Sequence, residues 1–386
     1  METKRKNELI YLFAYFIYTI TEISQISTLI NINSMSVTII HFLVMLLLVV
    51  KILNQKYTLK QLIIYSGIIF FAIYFWWRMK SALILITAFF FIGIKDVKIR
   101  KIIKVDAIVK ISFSIIHISL YLLNYAKNPN FIYSLLVNYT ETGVLKHTLY
   151  FTHSNNAGSV IAWALIDIMI LCKPRKKNYV ILNIAEMVAF YFTRARTAFY
   201  SFIIFEIIFL VCMINNKLIN KILNGTKKYI FIALTTFNLL FSIIDNFLDN
   251  KKFEMLNKLL SKRLSYSQIA IKKYGIHMFP NYINDGVLDN IIWVDNFYIR
   301  CIINYGIVIL IILNMIYIYI NHKKEKTTNN YETAILILFP IALFSELYPF
   351  NLARTVMILI IANICINSHK GEKNEGLQGK YNNSSI

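Results

Sequence analysis

Apolar runs broken by short polar stretches repeat from one end of the chain to the other. A bilayer span needs roughly 20 apolar residues, and about 17 suffice. On that measure the pattern predicts helices near 8–28, 35–53, 59–76, 80–95, 103–124, 155–172, 179–193, 196–213, 228–246, 295–319, 332–348 and 351–367, the fourth and seventh being short. The expected fold is all-α: a polytopic integral membrane bundle of about 12 transmembrane helices. Residues 1–367 read as one transmembrane domain, and 368–386, rich in Gly, Asn, Lys and Ser, as a disordered cytoplasmic tail. The basic start Met1–Lys6 runs into Leu9–Ile20 with no small-residue cleavage site after it, so it reads as a first span rather than a signal peptide.

The loops test this count. With the N-terminus inside, the inner loops hold Lys51, Lys56 and Lys60, then Lys95/Lys98/Arg100/Lys101/Lys104, Lys173/Arg175/Lys176/Lys177, Lys217/Lys221/Lys227/Lys228 and Lys323/Lys324/Lys326. Every one is basic, as the positive-inside rule requires, and the expectation is a cytoplasmic-membrane protein with both termini cytoplasmic. Two outer connections are long, about 125–154 and about 247–294, the latter a large extracytoplasmic loop between helices 9 and 10. It carries Phe253, Leu256, Leu260, Leu264 and Ile271 at helical spacing among lysines, the pattern of an amphipathic helix on the outer leaflet.

Composition agrees. The chain has 386 residues, 57% of them hydrophobic and 16% charged, with mean hydropathy +0.56; a soluble domain carries more charge. The net charge of +21 resides in short loops beside apolar segments, which points to lipid headgroups rather than nucleic acid. Cys172, Cys212, Cys301 and Cys365 lie in or at the ends of apolar segments without CxxC pairing and read as packing residues.

Candidate chemistry lies where charges are disfavoured. On the expected outer side stand Arg78 and Lys80, Arg194 and Arg196, Lys262 and Arg263, Arg300 and Arg354. Each alone can snorkel to the interface. As a set in a lysine-dominated chain they suit a phosphate, which a guanidinium grips in bidentate fashion. Acids expected within spans are Asp167, Glu186, Glu206 and Glu346; Glu186 and Glu206 are expected to pair with lysines such as Lys110, and Glu346 sits near Asn351 and Arg354. His41, His117, His322 and His369 read as packing or surface residues. His147 and His153 share a polar outer run, Lys146-His147-Thr148-Leu149-Tyr150-Phe151-Thr152-His153-Ser154-Asn155-Asn156, where either can act as base or hydrogen-bond donor. No metal is expected, because neither has metal spacing with an acid.

At these residues the chain resembles the Wzy-type polysaccharide polymerases, the O-antigen-polymerase and ligase-like group of membrane glycosyltransferases. Leu149–Gly158 is similar to the family's "GF-x-HPN" entry into a helix, with Tyr150 and Ser154 replacing the usual glycine and proline. Ala195-Arg196-Thr197 is similar to its Ser-Arg-Thr. Lys262-Arg263 before Tyr274-Gly275 resembles its arginine spaced before a glycine, and Val294–Tyr298 with Asn304-Tyr305-Gly306 resembles the segment closing its large loop. Glu346 with Asn351 is similar to the end of such chains. The likeness covers about 145–355.

The resemblance implies a metal-independent, cofactor-free polymerase of polyprenyl-pyrophosphate-linked oligosaccharides, with membrane lipids and other polysaccharide-assembly proteins as partners. Arg196 and Arg263 are expected on the pyrophosphate, with His153 and Asp295 competing as base or acceptor-orienting residue. Arg194, Asn155, His147, Asn296, Tyr298, Arg300, Glu346 and Arg354 are the expected substrate-binding residues. Two alternatives stay open: a flippase or secondary transporter for lipid-linked sugars, and a ligase-like transferase. Against transport, Lys51–Lys60 lacks the glycine- and arginine-rich signature of the major facilitator group, and Gly and Pro are scarce for broken-helix sites.

Overall fold

The computed structural model describes residues 2–127, 137–139, 145–172, 176–214, 216–243, 250–260, 262–283, 294, 296–323, 329–344 and 350–367. They form a helical membrane protein. The first helices are α1 (Glu2–Gln25), α2 (Ser34–Leu53), α3 (Leu59–Met79), α4 (Leu83–Gly93) and α5 (Ile99–Lys127). A short antiparallel ribbon follows, β1 (Val137–Tyr139) against β2 (Leu145–His147), with Asn138 opposite Lys146. Then come α6 (Ser154–Leu171), α7 (Lys176–Thr193), α8 (Arg196–Met213), α9 (Lys217–Ile243), α10 (Asn250–Leu259) and α11 (Arg263–Tyr274). The chain ends with α12 (Phe297–Arg300), a π-helical turn (Cys301–Tyr305), α13 (Ile307–Lys323), α14 (Asn330–Ala342) and α15 (Met357–Ile366).

Five of these, α2, α3, α5, α6 and α8, are long and apolar enough to cross a bilayer, and α4, α14 and α15 are shorter apolar helices. Local chemistry fixes several starts. Asn33 accepts from the Ser36 amide at 2.7 Å to cap α2, and Thr58 with Gln61 and Asn329 with Glu332 form capping boxes on α3 and α14. Helix α6 is central, since most of its residues are buried while most of α2 and α3 are not. It packs on α5, α7 and α8, while α1 packs on α2 and α5.

Polar contacts gather at two ends. At one, Lys101 pairs with Glu8, Lys51 Nζ donates to the Lys95 carbonyl at 2.8 Å, and Arg100 donates to the Leu171 carbonyl at 3.2 Å. At the other, Ser27 bridges Phe151, and Arg78 Nε donates to the Pro280 carbonyl at 3.3 Å. Arg78 therefore ties α3 to the segment before α12.

The sequence pattern predicts one helix over 295–319; the structure breaks it. The π turn ends at Gly306, whose φ is +86°, and a Cβ there would lie 2.6 Å from the Met278 carbonyl oxygen. The stretch 275–283 runs alongside and satisfies the irregular backbone: His277 N donates to Ile302 O at 2.9 Å, Asn281 N to Asn304 O at 2.8 Å, and Ile307 N to His277 O at 2.9 Å. Helix α14 contains Pro340, which leaves the Leu336 carbonyl without its helical donor; the Tyr317 hydroxyl donates to it at 3.2 Å. A scarcity of Gly and Pro thus did not prevent a broken helix at Gly306, while α14 continues through Pro340. In both places neighbouring groups take up the freed backbone. The last helix also starts late, at Met357 rather than 351, after turns over 350–356.

Candidate anion-binding site

Helices α6 and α8 start side by side. A Cβ on Gly158 would lie 2.3 Å from Ala195 Cβ, so only glycine lets the α7–α8 turn approach α6 this closely. Arg194 turns the chain with φ +52°, its amide donating to Phe190 O at 2.8 Å and its guanidinium lying over Tyr191 at 5.0 Å. Arg196 then opens α8 and is exposed. Two long helices thereby present their positive dipole ends to one place.

His153 caps α6. Its Nδ1 accepts from the Asn155 amide at 3.1 Å, which puts the proton of a neutral ring on Nε2. Desolvation and the nearby Lys146 ammonium hold this imidazole below its usual range. Lys146 on β2 is in turn lowered by burial and by Arg196. Lys146 thus feels the charge of Arg196 and acts in turn on His153, and among the described residues no carboxylate is among the groups perturbing Lys146 or His153. Arg354 joins from the turn before α15, its Nη1 donating to Asn156 Oδ1 at 2.6 Å. Asn351 shapes that turn by accepting from the Ala353 amide at 3.1 Å, and donates to Glu22 at 2.7 Å. Asn155 is exposed beside His153.

The approach to His153 is strained and anchored. Leu149 and Tyr150 have φ of +52° and +62°, costing roughly 1–2 kcal/mol each. Thr28 N donates to Tyr150 O and Thr152 N to Ile26 O, both at 2.8 Å. His117 stacks on Phe151 at 4.4 Å and bonds Ser27 at 2.8 Å, a packing role. Beside this bridge lies a cleft of about 430 Å³ lined by Gln25, Ser27, Thr28, Asn31 and Ser34 among others.

The remaining sequence candidates are placed elsewhere. His147 bonds Tyr121 at 2.6 Å and packs edge-on to Phe192, and burial lowers its imidazole. Arg263 opens α11, which packs on α9 and the π turn rather than on α6. Asn296, Tyr298 and Arg300 are buried. Asn296 bonds Asn238 and accepts from the Tyr298 amide at 3.0 Å. The Tyr298 hydroxyl donates to Pro340 O at 2.8 Å; its polar group serves helix packing. Asp295 and Glu346 lie outside the described residues. Lysine pairing of Glu206 is replaced by a bond from Asn183 at 2.6 Å, and Lys110 pairs with Asp106 and lies near Asp167 instead. Glu186 is buried on α7.

Sequence reasoning passed over Lys146, Asn156 and Asp106. Lys146 had a signal, a lysine on the expected outer side, of the kind that marks the arginines. Asn156 had only its place in the same polar run, and Asp106 sat inside a basic stretch that read as loop and helix start. Among the described residues no group of three or more His, Cys, Asp or Glu is placed to hold a metal. Comparison with protein-family models, with curated proteins and with solved structures found no match.

Proposed function

We propose that the chain polymerises polyprenyl-pyrophosphate-linked oligosaccharide repeats at the outer face of the cytoplasmic membrane. The observation that carries this reading is the basic group at the rim of an apolar bundle: Lys146, Arg196 and Arg354 around the converging N-termini of α6 and α8. Such a site suits a pyrophosphate whose lipid tail lies in the bilayer beside it.

In this reading the acceptor hydroxyl oxygen attacks the anomeric carbon of the donor chain. The bond from that carbon to the phosphate oxygen breaks, and the pyrophosphate leaves with the electron pair. Arg196, Lys146 and Arg354 stabilise the charge that grows on the leaving group, as oxyanion donors do. His153 donates its Nε2 proton in a hydrogen bond to a phosphate or sugar oxygen, because its Nδ1 lone pair is committed to the helix cap. The acceptor proton then goes to a carboxylate, for which Asp295 remains the candidate. The cleft along Gln25, Ser27 and Thr28 takes sugar.

The resemblance gains from two backbone details. Tyr150, where the resembled family has glycine, adopts the left-handed conformation glycine favours, and Ser154, where it has proline, is the first residue of α6, a position proline favours. A ligase-like transferase would use the same leaving group. Transport is the second reading, favoured by the acid and lysine buried together between α5 and α6.

Washed membranes given a lipid-linked repeat should keep polymerising after EDTA treatment. Loss of activity restored only by a divalent ion would show that these cations do not replace a metal.

A further inference from the structure

Asp106 and Lys110 on α5 and Asp167 on α6 are each completely buried. Lys110 Nζ pairs with Asp106 Oδ2 and stands 3.9 Å from Asp167 Oδ2. Asp106 Oδ1 also accepts from the Tyr15 hydroxyl at 3.0 Å. Asp106 is therefore solvated as a carboxylate should be, whereas neither oxygen of Asp167 has a hydrogen-bond partner. Asp106 and Lys110 are the charged groups that act on Asp167.

Two carboxylates against one ammonium would leave a net negative charge in a dry interior, an arrangement proteins avoid by taking up a proton. A metal cation would have to share this space with the lysine ammonium. From this geometry we infer that Asp106, Lys110 and Asp167 form a proton-binding site inside the bundle, holding one proton on Asp167. The charges are then minus one, plus one and zero. The site lies about 20 Å along α6 from its His153 end, at 1.5 Å per residue.

A polar face of α1 leads to it. Tyr15, Tyr18, Glu22 and Gln25 recur at helical spacing. The Tyr15 hydroxyl lies 3.0 Å from Asp106 Oδ1 and 3.2 Å from the Leu352 carbonyl. Tyr18 packs 5.7 Å from the His41 ring, and Glu22 binds His41 at 2.9 Å and Asn351 at 2.7 Å. The proton exchanges with water along this face, at the end of the bundle that holds His153. The inference stands independently of the proposed polymerase activity.

Infrared difference spectra of the purified protein test it through the carbonyl stretch of protonated carboxyl groups, with every other carboxyl of the chain as a background common to all variants. Asp167→Asn, which mimics the protonated acid, should remove one carboxyl's worth of band. Asp106→Asn should remove the same amount, because Asp167 must then ionise to balance Lys110. Lys110→Met should add one carboxyl. Deuterium exchange of the band should slow in Tyr15→Phe. An unchanged band in Asp167→Asn overturns the site. A band that survives Asp106→Asn, or fails to grow in folded Lys110→Met, overturns the shared charge balance. Unaltered exchange in Tyr15→Phe overturns the path.

Discussion

Arg196 is the residue on which the site turns. It is exposed at the start of α8, it adds to burial in lowering Lys146, and its helix dipole adds to its charge. If it grips the leaving pyrophosphate, Arg196→Lys keeps the charge and loses the planar fork. Turnover of a supplied lipid-linked repeat should fall with lysine and fall further with alanine. Losing one such contact is worth roughly 2–4 kcal/mol, so Arg196→Ala should slow turnover on the order of a hundredfold, with normal protein level. Lys104→Ala is the control, since Lys104 is exposed near the opposite end of the bundle. Arg78 is unsuitable as one, because its bond to Pro280 holds the segment that supports the π turn. Equal damage from Lys104→Ala would mean that overall charge, not the site, is being read.

At the scale of elements, the start of α8 depends on how closely α6 lets it approach. Gly158→Ala puts a methyl group 2.3 Å from Ala195 Cβ, an overpacking that costs roughly 1–3 kcal/mol. The variant should lose thermal stability and activity together, and Ala195→Gly in the same chain should restore much of both. Failure of that rescue would put the damage elsewhere. Most helices were legible in the sequence: 34–53, 59–79 and 196–213 lie within a few residues of the apolar runs, because length and capping residues such as Asn33 and Thr58 decide them locally. The break at Gly306 was not legible, because its cause is the distant stretch 275–283 lying against it. The same holds for the site. Arg196 and His153 stood out as polar residues at helix starts, while their link to Arg354 runs through Asn156, nearly 200 positions away in the chain, and no local pattern carries it.

For the whole molecule, the segregation of polar contacts to two ends makes topology testable. If both termini are cytoplasmic, a cysteine at Asn31, exposed beside the cleft, should react with an impermeant thiol reagent added outside intact cells. A cysteine at Lys104 should react only after the membrane is opened. The reverse pattern would put the basic site in the cytoplasm, where repeats do not await polymerisation. The central claim is tested most directly by the lipid-linked sugars of cells whose only copy of this chain carries Arg196→Ala. The account predicts that single repeats on their lipid carrier accumulate at the outer leaflet while long chains disappear. Long chains at wild-type level, or repeats retained at the inner leaflet, would contradict it.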